Sequence, residues 1–476
     1  MRYIRSCIEV LSQAELERIH EASLEILQEV GVQVSNEELL GRLRAIGAQV
    51  HGDVARLPSD VVLRVLQGCV GHREDARADQ AAAGRGPIRV TSGSETMVLE
   101  YPGHTLRPGM LDDVLKGIVV TNALPTVGRA LPVVVPSDVP RPVAEVEAYR
   151  LGCLYSSKPF NVYFGLRACP YLMEMAAVVA EATEQAKREL GFEFSFGVVS
   201  PLRFAEDDLA CAMMTAEQTW PTSCYSFVVL GASGPASMAG ALALSNAERL
   251  ACLTLMWLWG EVEGYQEGHV DDPCMIEPRT LATSFGHPNL TTLAIASNQL
   301  ARFYGLEPGG GLALSDAKGI DFQSGYERGM GAVFSVLAGG SIGNSGIVGP
   351  DEAISLEQLV VDDAALSAVN WIMQGVEVSD ESLALDVVKE VGIGGNYLDQ
   401  VHTVEYLRQE YWESPIFTRQ SWSGWERGGR KTLLERAHQE VERILAQGYP
   451  PEPLLPEGAA RRLDEIVGRA WAELVA

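Results

Sequence analysis

The chain is short of positive charge. Its 476 residues carry 37 Lys and Arg against 63 Asp and Glu, a formal net charge of −26. That deficit argues against nucleic acid and anionic membrane surfaces as partners, because both are held by clusters of cations. Long apolar runs are also missing. The longest, Leu250 to Trp259, falls well short of the roughly 20 residues a membrane-spanning helix needs. The first residues carry Arg2, Arg5 and Glu9 where a signal peptide would have its apolar core. The eight cysteines, Cys7, Cys69, Cys153, Cys169, Cys211, Cys224, Cys252 and Cys274, never pair as C-x-x-C. Scattered in apolar surroundings, they read as small hydrophobes in a reducing compartment, so a cytoplasmic location is expected. H-E-x-x-H, a P-loop lysine and a strand followed by G-x-G-x-x-G are absent, and no metal ligands are assigned. Gly339 to Gly343 has the letters of a G-x-S-x-G nucleophile elbow, but without the strand before it and the helix after it that an elbow requires.

Against these absences stands a rhythm. The chain opens on a helix whose ends are written in: Ser12 with Glu15 forms a capping box and Gly31 supplies a left-handed stop. Leu16, Ile19, Ser23, Ile26, Leu27 and Val30 mark its buried stripe. A second box, Ser35 with Glu38, opens the next helix, and a third helix comes after Pro58. From about Ile88, short strand-like runs alternate with amphipathic helices. The strands are expected at 88–91, 127–131, 160–164, 194–198, 223–229, 262–266, 311–314 and 341–343. The helices between and after them are expected at 111–120, 143–154, 171–189, 205–218, 236–257, 288–304, 320–337 and 356–373. Eight such units predict an α/β fold, a (β/α)8 TIM barrel. The expected organisation is an N-terminal helical extension (1–86), the barrel (87–375) and a C-terminal helical extension (376–476).

In a barrel the chemistry belongs at the C-terminal ends of the strands. Read in order, those ends offer Glu95, then Tyr163 and Phe164, then Phe227, then Tyr265, Gln266 and Glu267, and finally Asp316 and Gln323. Rings beside a carboxylate make a host for a quaternary ammonium ion, since the ring quadrupole attracts a cation that has no N–H to donate. The polar residues would orient the rest of the molecule. Around the eighth strand, Gly343, Asn344 and Gly346 leave little side-chain bulk, so a large flat ligand could approach closely.

The opening helix, Val135 to Pro140, Gly231 to Pro235, Ala241 to Leu250, Ser284-Phe-Gly286, Ser315 to Glu327, Leu356 to Asp363 and Leu385 to Gly392 together resemble the trimethylamine methyltransferase family over nearly the whole chain. The resemblance implies a barrel enzyme that moves a methyl group from a methylated amine to the cobalt of a corrinoid (cobalamin) carried by a separate partner protein. The family's trimethylamine enzymes use pyrrolysine. Every residue here is standard, and Gly340 to Gly349 offers little beyond Ser, Asn, Ile, Val and Gly. The chain therefore resembles the branch without pyrrolysine, whose substrates are glycine betaine and related quaternary amines. No D-x-H-x-x-G corrinoid motif occurs in the chain, so the cofactor is expected on the partner. Alternative readings are demethylation of another methylated amine, acid–base chemistry in an unrelated barrel, and binding of a methylated amine without reaction. Association into a homo-oligomer is compatible with a chain of this kind.

Overall fold

A computed structural model describes residues 8–71, 88, 90–259, 273–306, 308–309 and 311–475. The opening helix α1 (Gln13–Glu25) has the expected capping box, and its last turn widens into a π-helical segment ending at Gly31, φ +83°. Helix α2 (Glu37–Ile46) is capped by Asn36, whose side chain accepts the Leu39 amide at 3.0 Å, and not by the expected Ser35–Glu38 box. Asn is as good a cap as Ser, and the chain uses the later of two adjacent candidates. Helix α3 spans Ser59–Gly71. The N-terminal part is not purely helical: β1 (Val32–Val34), β2 (Gln49–His51) and β3 (Val54–Arg56) form an antiparallel unit. Strands of three residues leave no legible alternation in the sequence.

Beyond α3 strands and helices alternate. The strands are β4 (Val90–Ser92), β5 (Met97–Glu100), β6 (Thr105–Pro108), β7 (Val127–Arg129), β8 (Phe194–Val199), β9 (Arg203–Phe204), β10 (Thr222–Ser226) and β11 (Val229–Leu230), then β12 (Cys274–Ile276), β13 (Thr283–Ser284), β14 (Ile342–Ser345), β15 (Ile347–Val348) and β16 (Ala353–Ile354). The intervening helices are α4 (Leu111–Ala123), α5 (Arg141–Tyr155), α6 (Cys169–Thr183), α7 (Glu206–Glu217), α8 (Met238–Leu258), α9 (Pro288–Phe303), α10 (Phe322–Leu337) and α11 (Leu356–Met373). The short antiparallel pairs β5–β6, β8–β9, β12–β13 and β15–β16 are not predicted by the sequence pattern. The expected strand at 262–266 lies outside the described residues; β12 is the parallel strand beyond it.

Parallel pairing joins Leu312 to β14, β14 to β4, β4 to β7, and Ala130 to Phe160. It also joins β8 to β10 over five consecutive pairs, and β11 to β12. Among the described residues these ladders form three separate runs and do not close into one ring. The expected third and seventh strands are reduced to single bridges, at Phe160 and Leu312. The architecture is mixed α/β with parallel strands and covering helices. The N-terminal unit is tied in through a parallel pairing of β1 with β9, Gln33 opposite Arg203, and α1 lies on α8.

The C-terminal part returns to helices: α12 (Asp380–Leu383), α13 (Leu385–Val391), α14 (Val401–Tyr406), α15 (Trp422–Arg427), α16 (Leu433–Gly448) and α17 (Glu457–Leu474). Thr432 and Glu435 form a capping box at α16. Ala437, Val441 and Ile444 of α16 are buried on one stripe against α4 and α11; each large aliphatic side chain so buried contributes about 1.5–3 kcal/mol. Helix α17 packs on α5 and α6 in the same way. No helix of the described residues is long and apolar enough to cross a membrane.

Candidate active site

The strand ends are set by a buried ion pair. Arg328, on α10, lies 3.1 Å from Asp362 of α11, and both side chains are 6% exposed. The guanidinium also donates to the carbonyls of Ala313 (2.9 Å) and Ile347. The carboxylate accepts the Gly346 amide at 2.8 Å and the Gln358 side chain at 2.7 Å. Two helices thereby hold the backbone just past β14 and just past Leu312. Burial pushes the Asp362 carboxyl up, against the pull of Arg328 and the Gly346 amide. The neighbouring Asp363 faces elsewhere and accepts both the amide and the hydroxyl of Thr126, the residue before β7.

The turn placed by this pair carries Asp351 at φ +63°. Glu95, half-buried after β4, meets it there. The Glu95 backbone is paired on both sides with the segment after β7, its amide to Val133 (3.0 Å) and its carbonyl to Val135 (2.8 Å). Glycine is required at Gly93, since a Cβ would lie 2.4 Å from the Ile347 side chain. Burial, together with the Asp351 carboxyl hydrogen-bonded beside it, pushes Glu95 up to about 8. The next residue of the turn, Glu352, holds the Lys318 ammonium at 3.2 Å. The group is thus two acids sharing one site, with a lysine adjacent.

A second assembly joins two of the segments that carried the family resemblance. Asp316 accepts the Ser284 hydroxyl at 2.5 Å and the Phe285 amide at 2.8 Å. Glu327 accepts the Ser315 hydroxyl (2.6 Å), the Asp316 amide (3.0 Å) and the Gln323 side chain (2.9 Å). A Cβ on Gly286 would come within 2.2 Å of the Glu327 carboxylate, so a larger residue there would push Glu327 out of these hydrogen bonds. The clamp fixes Phe285, whose ring centroid is 6.2 Å from that of Phe227 just past β10. On the other side of Phe227, Glu248 of α8 accepts from the Ser226 and Ser200 hydroxyls and from the Leu202 amide. It ties the ends of β8 and β10 together.

These contacts redistribute the expected roles. Asp316 and Gln323 engage protein groups and position Phe285. Phe164 is stacked on Phe192 at 5.4 Å and tilted against Phe194, so that face of its ring belongs to the core. Tyr163, 58% exposed, lines a groove of about 600 Å³ with Phe164, Ser94 and Glu145. Tyr265, Gln266 and Glu267 lie outside the described residues. Gly343 pairs with Leu312 inside the sheet and Asn344 adopts φ +60°. Gly346 is buried at φ +90° against Ile354 and Leu359, which accounts for its glycine without any ligand. Gly339 and Gly340 precede β14, at the opposite end of the strand from Glu95. Ser341 also precedes the strand and donates to the Gly309 carbonyl at 2.6 Å, so the elbow geometry is absent. Sequence reasoning missed Asp351, Glu327, Glu248 and the Arg328–Asp362 pair as site-building residues. Glu248, Glu327 and Asp362 had a signal, as members of the resemblance segments.

The model of the trimethylamine methyltransferase (MTTB) family matches residues 1–474. The chain belongs to this family. Among curated relatives, the glycine betaine methyltransferase of Desulfitobacterium hafniense (strain Y51) is 26% identical over 451 residues, 93% of each chain. The trimethylamine methyltransferase MttB of Methanosarcina barkeri is 27% identical, covering 90% of this chain and 89% of its own. The monomethylamine methyltransferase MtmB of Methanosarcina barkeri aligns over 96% of this chain at 11% identity with a TM-score of 0.44.

The raised Glu95 gives a test of ligand contact. A carboxyl held protonated by burial and by a neighbouring acid loses its proton when a cation arrives. A cation that binds beside Glu95 at pH 7 is therefore expected to release a proton, up to one per site. Calorimetry in two buffers of different ionisation enthalpy measures the release, and Glu95→Gln abolishes it. Without ligand, the raised value means that the folded state binds more protons than the unfolded state from pH 4.5 to about 8. The Glu95 contribution to stability is thus complete below pH 4.5 and lost as pH rises through 8.

Proposed function

We propose that the chain is a cytoplasmic methyltransferase that takes a methyl group from a betaine-type quaternary amine and delivers it to a corrinoid on a separate protein. In this reading the parallel strands are those of a (β/α)8 barrel, and substrate enters at the Glu95 end. The observation that carries it is Glu95, half-buried just past a parallel strand beside the Asp351 carboxyl, and the Phe227–Phe285 ring pair just past another strand offers a second face for a cation. Near-full-length similarity to a glycine betaine methyltransferase supports the choice of substrate class.

The chemistry asks little of the protein. A cobalt(I) corrinoid supplied by the partner is the nucleophile. The C–N bond breaks with its electron pair staying on nitrogen, so the amine departs neutral and no general acid is needed. The protein's task is to hold the methyl carbon in line and exclude water, and such positioning can supply about 7–11 kcal/mol of a barrier. Phe227 and Phe285 would face the methyl groups, while Glu95, ionised once the cation is present, would balance its charge. Lys318, beside Glu352, is the cation we assign to the betaine carboxylate. The small residues Gly343 and Asn344 would leave room for the corrinoid.

The test is release of tertiary amine from a panel of betaines, with and without a reduced corrinoid protein. Release only in its presence supports the proposal; no release from any betaine sinks it. The value of about 8 at Glu95 also suits a general acid, which is the one observation favouring the acid–base reading. That reading requires turnover with no methyl acceptor.

A further inference from the structure

From Gln374 to Pro415 not one residue is buried, although the stretch is well supplied with large apolar side chains. Val376, Val378, Ile393, Leu398, Val401 and Val404 are each between 63 and 109% exposed. Soluble monomers rarely expose contiguous apolar surface on this scale. Its helices, α12, α13 and α14, have four, seven and six residues. Helices below about 12 residues are marginal in water unless they pack on something. The chain leaves the body after α11 and rejoins it through Trp412, whose indole N–H donates to the Ser367 hydroxyl of α11 at 3.1 Å, and Ile416, which is 1% exposed, so the intervening stretch is an arm with anchored ends.

The arm and the segment C-terminal to it are oppositely charged. Between 374 and 415 there are nine Asp and Glu against Lys389 and Arg408, and among the described residues the arm's one ion pair is Lys389–Asp386. The adjoining stretch, 416–432, has Arg419, Arg427, Arg430 and Lys431 against Glu426. Of these only Arg430 is ion-paired among the described residues, to Glu426. Arg419 lies over the Trp412 ring, and Lys431 donates to Gln439. Arg419 and Lys431 also line an open cleft of about 1300 Å³ at the base of the arm.

We propose that the arm is the interface of a two-fold homodimer, each arm lying across the other copy's 416–432 segment. In a two-fold contact residue i meets j and j meets i. An acidic apolar arm continuous with a basic segment is therefore self-complementary, each charged surface being matched twice. A stable interface uses roughly 20–30 residues a side, and the arm alone is longer than that. The inference is independent of the reaction catalysed.

Sedimentation velocity of the full chain at micromolar concentration tests it. The expected species has twice the 51.5 kDa chain mass. Because Leu398 and Val404 are exposed, the double variant Leu398→Glu with Val404→Glu leaves the body folded, as circular dichroism will register, and yields monomers. Arg419→Glu weakens the dimer at least tenfold. A monomeric wild type, or a dimer that persists in the double variant, overturns the proposal. So does a monomeric wild type whose arm variants lose binding to a corrinoid protein, since the arm would then belong to that partner.

Discussion

Replacing Arg328 by Met is expected to destabilise the protein by about 3–5 kcal/mol, the usual cost of leaving one member of a buried ion pair uncompensated. The effect is large because Arg328 and Asp362 are both almost sealed from water and because the guanidinium also satisfies the Ala313 and Ile347 carbonyls. Urea unfolding measures it. The loss should depend on pH in a defined direction. Without Arg328, the Asp362 carboxyl, already pushed up by burial, rises further and must take a proton in the folded state. The variant is then least harmed at low pH and loses stability as pH rises past the unfolded aspartate range near 4. Asp362→Asn in the same background should remove that pH dependence. A variant as stable as the parent at pH 7 would mean that the strand ends are held by something else.

Truncating Phe227 to Ala is expected to raise the apparent KM for a quaternary amine by about 2- to 30-fold, the span of a cation–π contact worth roughly 0.5–2 kcal/mol. The kcat should change less, since the ring serves the cation before and during transfer. Phe227→Tyr keeps a π face and should restore most of the affinity. Discrimination is the sharper readout: a neutral isostere with a quaternary carbon in place of nitrogen gains nothing from the ring, so its binding should fall only by the loss of packing. If betaine and isostere weaken equally, Phe227 is a packing residue and the cation lies elsewhere.

The sequence was most legible where the pattern was long. Leu356–Met373 was expected as a helix and is one with those bounds, because eighteen residues without Gly or Pro behind the Ser355 cap leave little choice. Strands of two to four residues carry no comparable signal. The run 160–164 reads well as a strand, yet only Phe160 is bridged. The antiparallel unit before α3 went unread for the same reason. Within the site, Glu95 was legible as a carboxylate just past a strand, and Asp316 as part of a dense polar loop. Their contacts were not. Asp351 lies 256 positions from Glu95 in the numbering, and only the fold brings the two acids together. Phe164 shows the converse: a ring at a strand end satisfies the pattern for a ligand site and the pattern for core equally, and its stacking on Phe192 decides for core on that face.

In the proposed reaction the methyl group passes from amine to a corrinoid protein, with this chain supplying only position and a host for the cation. The direct measurement uses glycine betaine labelled in its N-methyl carbons, incubated with the protein and a reduced corrinoid protein, with the two proteins and the small molecules then separated. Label is expected on the corrinoid protein in one-to-one proportion with dimethylglycine released. Dimethylglycine released with the corrinoid protein omitted, or label recovered as formaldehyde or methanol, would contradict the proposed reaction.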